Sequence, residues 1–226
     1  MNESERSPSF PVVGVFTNNG VERANRQVWP FQKILFPAAP VVGVFTDNPP
    51  CTIRMFEQDH VAFFTATIFG WKHLLKPDKY KRIILDSLQF PVENGRIRLY
   101  GLVIMPNHLH LLWNMQEPHL RENVQRDFLK FMAQQIKFDL QEHHPQVLER
   151  FQTQARDRQY QIWQRNALSV YCTSASMARQ KLAYIHNNPV VEKWNLARLP
   201  EDYYFSSAAY YCKNGHAFGF LTHYLD

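Results

Sequence analysis

The sequence predicts an α+β domain of ferredoxin-like type, an antiparallel sheet layered with helices, behind an irregular N-terminal extension. Segments rich in β-branched and aromatic residues alternate with segments whose apolar residues recur every three or four positions, in the order β, α, β, β, α. Pro-Asp, Asn-Gly and Pro-Asn pairs separate them. No stretch approaches the roughly eighteen uninterrupted apolar residues of a membrane span.

Residues 1–54 read as an appendage. The string PVVGVFT occurs at Pro11–Thr17 and again at Pro40–Thr46, with unpatterned chain between the copies and Pro49-Pro50 after them. Two copies fall short of a stacked repeat architecture, and a duplicated leader looks like translated repetitive DNA. Met55 is an alternative start, so residues 55–226 are read as the functional domain, and a chain beginning there is expected to fold and act alone.

Within that body, His60–Phe69 (HVAFFTATIF) has strand composition. Lys76–Leu88 places Tyr80, Ile83, Ile84 and Leu88 at helical spacing after Pro77-Asp78. Asn94-Gly95 predicts a turn into a second strand, Arg96–Met105. Pro106-Asn107 turns the chain into a third, His108–Trp113. A long helix fits Leu120 to about Leu140, its stripe being Leu120, Val124, Phe128, Phe131, Met132, Ile136 and Leu140. Arg158–Trp163 alternates as a short strand. Ser174 or Ser176 caps a helix that runs to Asn188 and ends at Pro189, and a short helix covers Ser206–Tyr211.

Composition narrows the function classes. Of 226 residues, 45% are hydrophobic and 20% charged, which excludes wholesale disorder. Twenty-five basic minus 20 acidic residues give +5, a balance that permits a nucleic-acid partner without requiring one. Only 8 glycines disfavour a Gly-rich phosphate loop. The 3 widely spaced cysteines form no CxxC pair, and MNESERSPSF is no export signal. Reduced thiols in a cytoplasm are expected.

Two local patterns carry chemistry. In His108-Leu109-His110-Leu111, strand alternation sends both imidazoles to one side and both leucines to the other. Paired neutral imidazoles are half of a metal site; the alternative is two histidines facing solvent opposite a buried side. In Lys181–Pro189 (KLAYIHNNP), Ala178, Leu182 and Ile185 form the core stripe, while Lys181, Tyr184 and Asn188 share another face. An amine, a phenol and a carboxamide line up there; the alternative is an exposed face anchored by Tyr184.

Met105–His110 (MPNHLH) followed by Tyr184–Pro189 (YIHNNP) resembles the IS200-like single-tyrosine transposases, and within them the REP-associated branch. Ile162-Trp163-Gln164-Arg165 and Pro200–Ser207 (PEDYYFSS) are further marks of that family, and the likeness runs from about Met55 to Tyr224. The resemblance implies a metal-dependent enzyme that cleaves and rejoins single-stranded DNA beside foldback hairpins, as a monomer or a homodimer. It implies that His108 and His110 hold Mg²⁺ or Mn²⁺ and that Tyr184 is the nucleophile, with Lys181 promoting phenolate character. Trp163, Gln164 and Arg165 would contact DNA through a stacking surface, an amide and a cation; the alternative is a buried tryptophan beside a surface arginine. Lys72, Lys76, Lys79, Lys81 and Arg82 form a basic stretch suited to phosphate or to solvent.

The third metal ligand is assigned to Asn188, one helical turn from Tyr184, in preference to His186, which lies 200° around the helix and points to the core. One departure from the family stands out. After Trp163-Gln164 many members carry a further aromatic and a histidine, whereas this chain reads Arg165-Asn166-Ala167-Leu168. Two alternatives are a replication- or transfer-type nickase, which pairs the same residues, and a domesticated hairpin-binding protein without cleavage.

Overall fold

A computed structural model describes residues 61–212 and 218–226. The expectations for residues 1–54 and for a boundary at Met55 lie outside the described residues.

The described chain is an α+β fold around one antiparallel four-stranded sheet. Its strands are β1 (Ala62–Thr67), β2 (Ile97–Ile104), β3 (His108–Met115) and β4 (Leu168–Tyr171), in the order β2-β3-β1-β4. The main helices are α1 (Asp78–Glu93), α2 (Arg121–His143), α3 (Pro145–Glu149), α4 (Ala175–Asn187) and α5 (Ala208–Cys212). β3 lies between β1 and β2, antiparallel to both, as in a split βαβ unit.

The two sheet faces carry separate apolar clusters. On one, Phe64, Leu109, Leu111 and Trp113 meet Ile84 and Leu88 of α1 and Phe128, Met132 and Ile136 of α2. The helix pair is also tied by Asp139, which accepts from Tyr80 Oη at 2.7 Å and Lys79 Nζ at 2.6 Å. On the other, Phe63, Val103 and Leu112 meet Ala178, Leu182 and Ile185 of α4. α4 begins at Ser174, whose side chain accepts the Met177 N–H at 3.1 Å.

Close approach of α4 needs a missing side chain on β2. The β2–β3 register shifts between Leu99 and Gly101, a bulge in the strand below α4. A Cβ on Gly101 would stand 2.5 Å from Leu182 Cδ1. Glycine at this position lets the helix settle on the sheet.

The turn expected at Asn94-Gly95 is present, and three other sequence expectations are corrected. Asn94-Gly95 makes that turn as a helix stop: Gly95 adopts φ 63°, its N–H bonds Val92 O at 3.0 Å, and Arg96 N–H bonds Pro91 O at 2.8 Å. α1 runs to Glu93, past the expected end at Leu88, because Pro91 lies in the last turn and the Asn-Gly cap closes the helix beyond it. Arg158–Trp163 forms isolated bridges, Gln152 to Tyr160 and Ile68 to Trp163, and no strand. Gln161, Ile162 and Trp163 are buried in succession, which one strand face cannot do. The edge strand is Leu168–Tyr171 instead, too short and too exposed on both sides to show alternation. Leu120 (64% exposed), just before α2, and Phe131 (50%) lie off the core stripe, which is carried by about one residue per turn, Phe128, Met132, Ile136 and Leu140.

Candidate active site

The site is built on β3 and α4. Thr65 of β1 is opposite His110 in register, and Thr67 is opposite His108. Because Leu109, Leu111 and Trp113 fill the α1–α2 face, His108 and His110 stand on the α4 face with their ring centroids 4.8 Å apart. Both are buried, His110 to 5% exposure.

Each imidazole is held by one nitrogen. Thr65 Oγ1 lies 2.7 Å from His110 Nδ1, and Asn107 Oδ1 lies 2.7 Å from His108 Nδ1. Asn107 is itself fixed: its Nδ2 donates to Trp71 O at 3.1 Å, and its carbonyl accepts the Ile68 N–H at 2.8 Å. Trp71 adopts φ 58°, an unusual backbone for a bulky residue, in the turn that receives Asn107. Such a partner on Nδ1 is the usual way of aiming an imidazole's Nε2 at a metal.

Burial makes both histidines neutral. It presses His108 down to about 4, with the Lys193 ammonium adding to the effect. His110 is lowered well below its ordinary range by burial, then by His108 and Lys181. His110 Nε2 is buried without a hydrogen-bond partner. An orphaned nitrogen of a neutral imidazole beside a second neutral imidazole fits a divalent cation. Among the described residues no third His, Cys, Asp or Glu joins them, so oxygen from a carboxamide or phosphate would complete the set.

α4 brings Tyr184 to this pair. Its ring centroid lies 5.2 Å from His110 and 6.0 Å from Phe63, and Phe63 stacks on His110 at 5.2 Å. Burial raises the Tyr184 phenol above its ordinary value, and a hydrogen bond from Asn188 opposes that shift. An amide N–H donating to the phenolic oxygen has that sign, and it leaves Asn188 Oδ1 as an oxygen ligand atom. Lys181, one turn earlier, sits with Nζ 4.9 Å over the Phe63 ring, and burial lowers its pKa.

His186 points elsewhere. Its Nε2 lies 2.9 Å from Ser207 Oγ, which also accepts the Leu102 N–H at 3.0 Å, and its ring packs on Tyr211 at 5.2 Å. Burial takes it down to about 3. This neutral histidine fastens α4 to the middle of β2.

The segment with the other expected DNA contacts lies at the sheet edge. Trp163 is 7% exposed and part of the α1–α2 core, which is the buried-tryptophan alternative of the two open for it. Gln164 and Arg165 remain accessible; Arg165 pairs with Asp157 at 3.1 Å. In the basic stretch, Lys81 is buried against Asp78 at 2.7 Å, which removes it from phosphate contact, and Lys79 is bound to Asp139. Three residues at the site escaped the sequence reading. Trp194 lies 5.7 Å from both His108 and His73, with Lys193 Nζ 5.5 Å over its ring. They come from a loop and an irregular turn without periodicity, and only the aromatic-basic pair Lys193-Trp194 could have drawn notice.

No family model matches the chain, and no curated protein matches it. Among solved structures it is similar to a REP-associated tyrosine transposase bound to a REP hairpin, at 19% identity and TM-score 0.48, over 73% of this chain and 83% of the other. It is also similar to a protein described as a transposase from Deinococcus radiodurans R1, at 17% identity and TM-score 0.38, over 57% of this chain and 90% of the other. Among the described residues no helix is long and apolar enough to cross a membrane.

Proposed function

We propose that the chain is a single-tyrosine DNA strand transferase that cuts and rejoins single-stranded DNA flanking a foldback hairpin. The observation that carries the reading is the packing of Tyr184 against His110, with Asn188 bonded to the phenol and a second neutral histidine alongside. A phenol otherwise rarely needs two imidazoles and a carboxamide around it.

Mg²⁺ or Mn²⁺ held by His108, His110 and Asn188 would supply Lewis-acid polarisation of the scissile phosphate. The protein's own residues do the rest. Asn188 favours the phenolate form of Tyr184, which burial alone would suppress, and Lys181, one turn earlier on α4, would add a cation on the same helix face. The Tyr184 oxygen forms a bond to phosphorus, the bond from phosphorus to the 3′ oxygen breaks, and that oxygen leaves as a hydroxyl after taking up a proton. The strand is held as a 5′-phosphotyrosine, and attack by another 3′-hydroxyl reverses the step without ATP. Phe63 and Trp194 wall the site with aromatic surface.

The test is a labelled single strand carrying a hairpin, incubated with the protein and Mn²⁺ and run on a denaturing gel. A covalent adduct is expected from the native chain and none from Tyr184→Phe, which keeps the ring and its packing. An adduct of undiminished yield from Tyr184→Phe would overturn the assignment.

A further inference from the structure

We propose that the groove between α2 and the 157–165 segment is a track for single-stranded DNA leading to the Tyr184 site; the inference rests on the reading above. The groove measures about 640 Å³. Five cations line it, Arg126, Lys130, Lys137, Arg158 and Arg165, against one acid, Asp157; Arg126 also pairs with Asp127 at 3.0 Å, which leaves an excess of three positive charges. Asp157 is engaged by Arg158 and Arg165, which holds those two guanidinium groups at the rim.

The α2 cations are in register with one another. Positions 126, 130 and 137 are separated by four and seven residues, so they fall on one stripe of the helix. Eleven residues at 1.5 Å rise make that row about 16 Å long, the reach of several phosphates of one strand. The groove wall between the charges is apolar, formed by Leu129, Ala133, Tyr160 and Ile162. A cationic rail beside an apolar and aromatic wall suits a single strand, whose unpaired bases have faces to bury; a duplex presents only phosphates and groove edges.

The groove also leads somewhere. Gln164 lines it, and the Gln164 N–H donates to Thr67 O at 2.7 Å. Thr67 is opposite His108 across β1 and β3. Two strand spacings therefore separate Gln164 from His108, about 10 Å. A strand leaving the groove passes over the sheet edge at Gln164 and Arg165 and arrives at the histidine pair within one or two nucleotides. The position of Gln164 and Arg165 thus acquires a reason: they stand where the track turns from one sheet face to the other.

Fluorescence anisotropy with the full chain and a labelled unstructured 20-nucleotide strand, across a series of salt concentrations, tests the track. Replacing Arg126, Lys130 and Lys137 together by glutamine keeps good helix formers in an exposed stripe. The slope of log K against log salt should become shallower by about 2, from three lost contacts at ~0.7 each. Affinity at physiological salt should drop at least tenfold, with an unchanged thermal melt. Lysine at 126 with arginine at 130 and 137 should restore the native slope. An unchanged slope in the glutamine variant overturns the proposal, as does a slope that changes for a blunt hairpin duplex but not for the single strand. Tyr184→Phe is the separating arm: it should keep the native slope while forming no adduct, so failure of the tyrosine chemistry and failure of the track give different results.

Discussion

The two faces of one sheet have been put to opposite uses, and β3 shows it within eight residues. Leu109, Leu111 and Trp113 enter an apolar layer under α1 and α2, whose buried polar atoms without a hydrogen-bond partner are the indole nitrogens of Trp113 and Trp163. His108 and His110, on alternate positions of the same strand, enter a layer where polar groups are buried and one imidazole nitrogen has no protein partner. Burying an unsatisfied polar atom costs on the order of 1–3 kcal/mol. On the α4 face that cost falls on His110, beside Tyr184, where a polar ligand would relieve it. The α1–α2 face supplies the stability that the α4 face spends.

The largest expected effect is therefore an exchange of phenotypes across β3. Leu111→Ala should lower stability by about 2–5 kcal/mol through the cavity it leaves, while the folded fraction still forms adduct at the native rate. His110→Ala should abolish metal-dependent adduct formation with a much smaller loss of stability. Urea melts and single-turnover cleavage on both variants read the contrast. If His110→Ala cuts normally, the α4 face is a second core and the site reading fails.

A middle-sized effect is expected where the faces are coupled through the backbone. Gly101 is the contact between β2 and α4, and an alanine Cβ there would start 2.5 Å from Leu182 Cδ1. Overpacking of this kind costs roughly 1–3 kcal/mol. It should also move Tyr184 relative to His110, because both Leu182 and Tyr184 ride on α4. Gly101→Ala should slow cleavage more than it weakens DNA binding, and Leu182→Ala in the same chain should recover part of the rate. No recovery would mean that α4 is placed by its other contacts.

This asymmetry explains what was legible in the sequence. The sheet and its long helices were readable because the residues that fill the α1–α2 face recur with period 2 on the strands and about 3.6 on the helices, exposed Leu120 and Phe131 apart. The pairing of His108 with His110, and of Tyr184 with Asn188, was readable for the same reason, since i, i+2 and i, i+4 spacing fix a common side. Trp163 stayed open because a tryptophan in a short irregular segment reads equally as a stacking platform or a core residue, and here the core claims it. Trp71 and Trp194 are placed by turns with positive φ at Trp71 and Asn195, a conformation that composition does not announce. Asn107 appeared as a turn residue, and its second duty of holding His108 became visible only with the turn closed around it.

The smallest predicted effect is a difference in acid sensitivity between the faces. His186 has a folded pKa of about 3 against 6.5 ordinarily, because burial disfavours its charged form. The unfolded chain therefore binds a proton that the folded chain refuses across that window. Its contribution to stability is complete above pH 6.5 and is lost as pH falls toward 3, with a limiting slope of about 1.4 kcal/mol per pH unit for one proton. His108 and His110 are depressed in the same direction, so the native chain should destabilise with acid through all three, and the buried histidines all stand on the α4 side. His186→Gln keeps an amide that reaches toward Ser207 but removes one titration. Urea melts between pH 7 and pH 4 should show a shallower decline for the variant, by up to one proton's worth. Superimposable declines would mean that His186 takes up its proton in the folded state, and that the link from α4 to Ser207 is looser than the 2.9 Å contact implies.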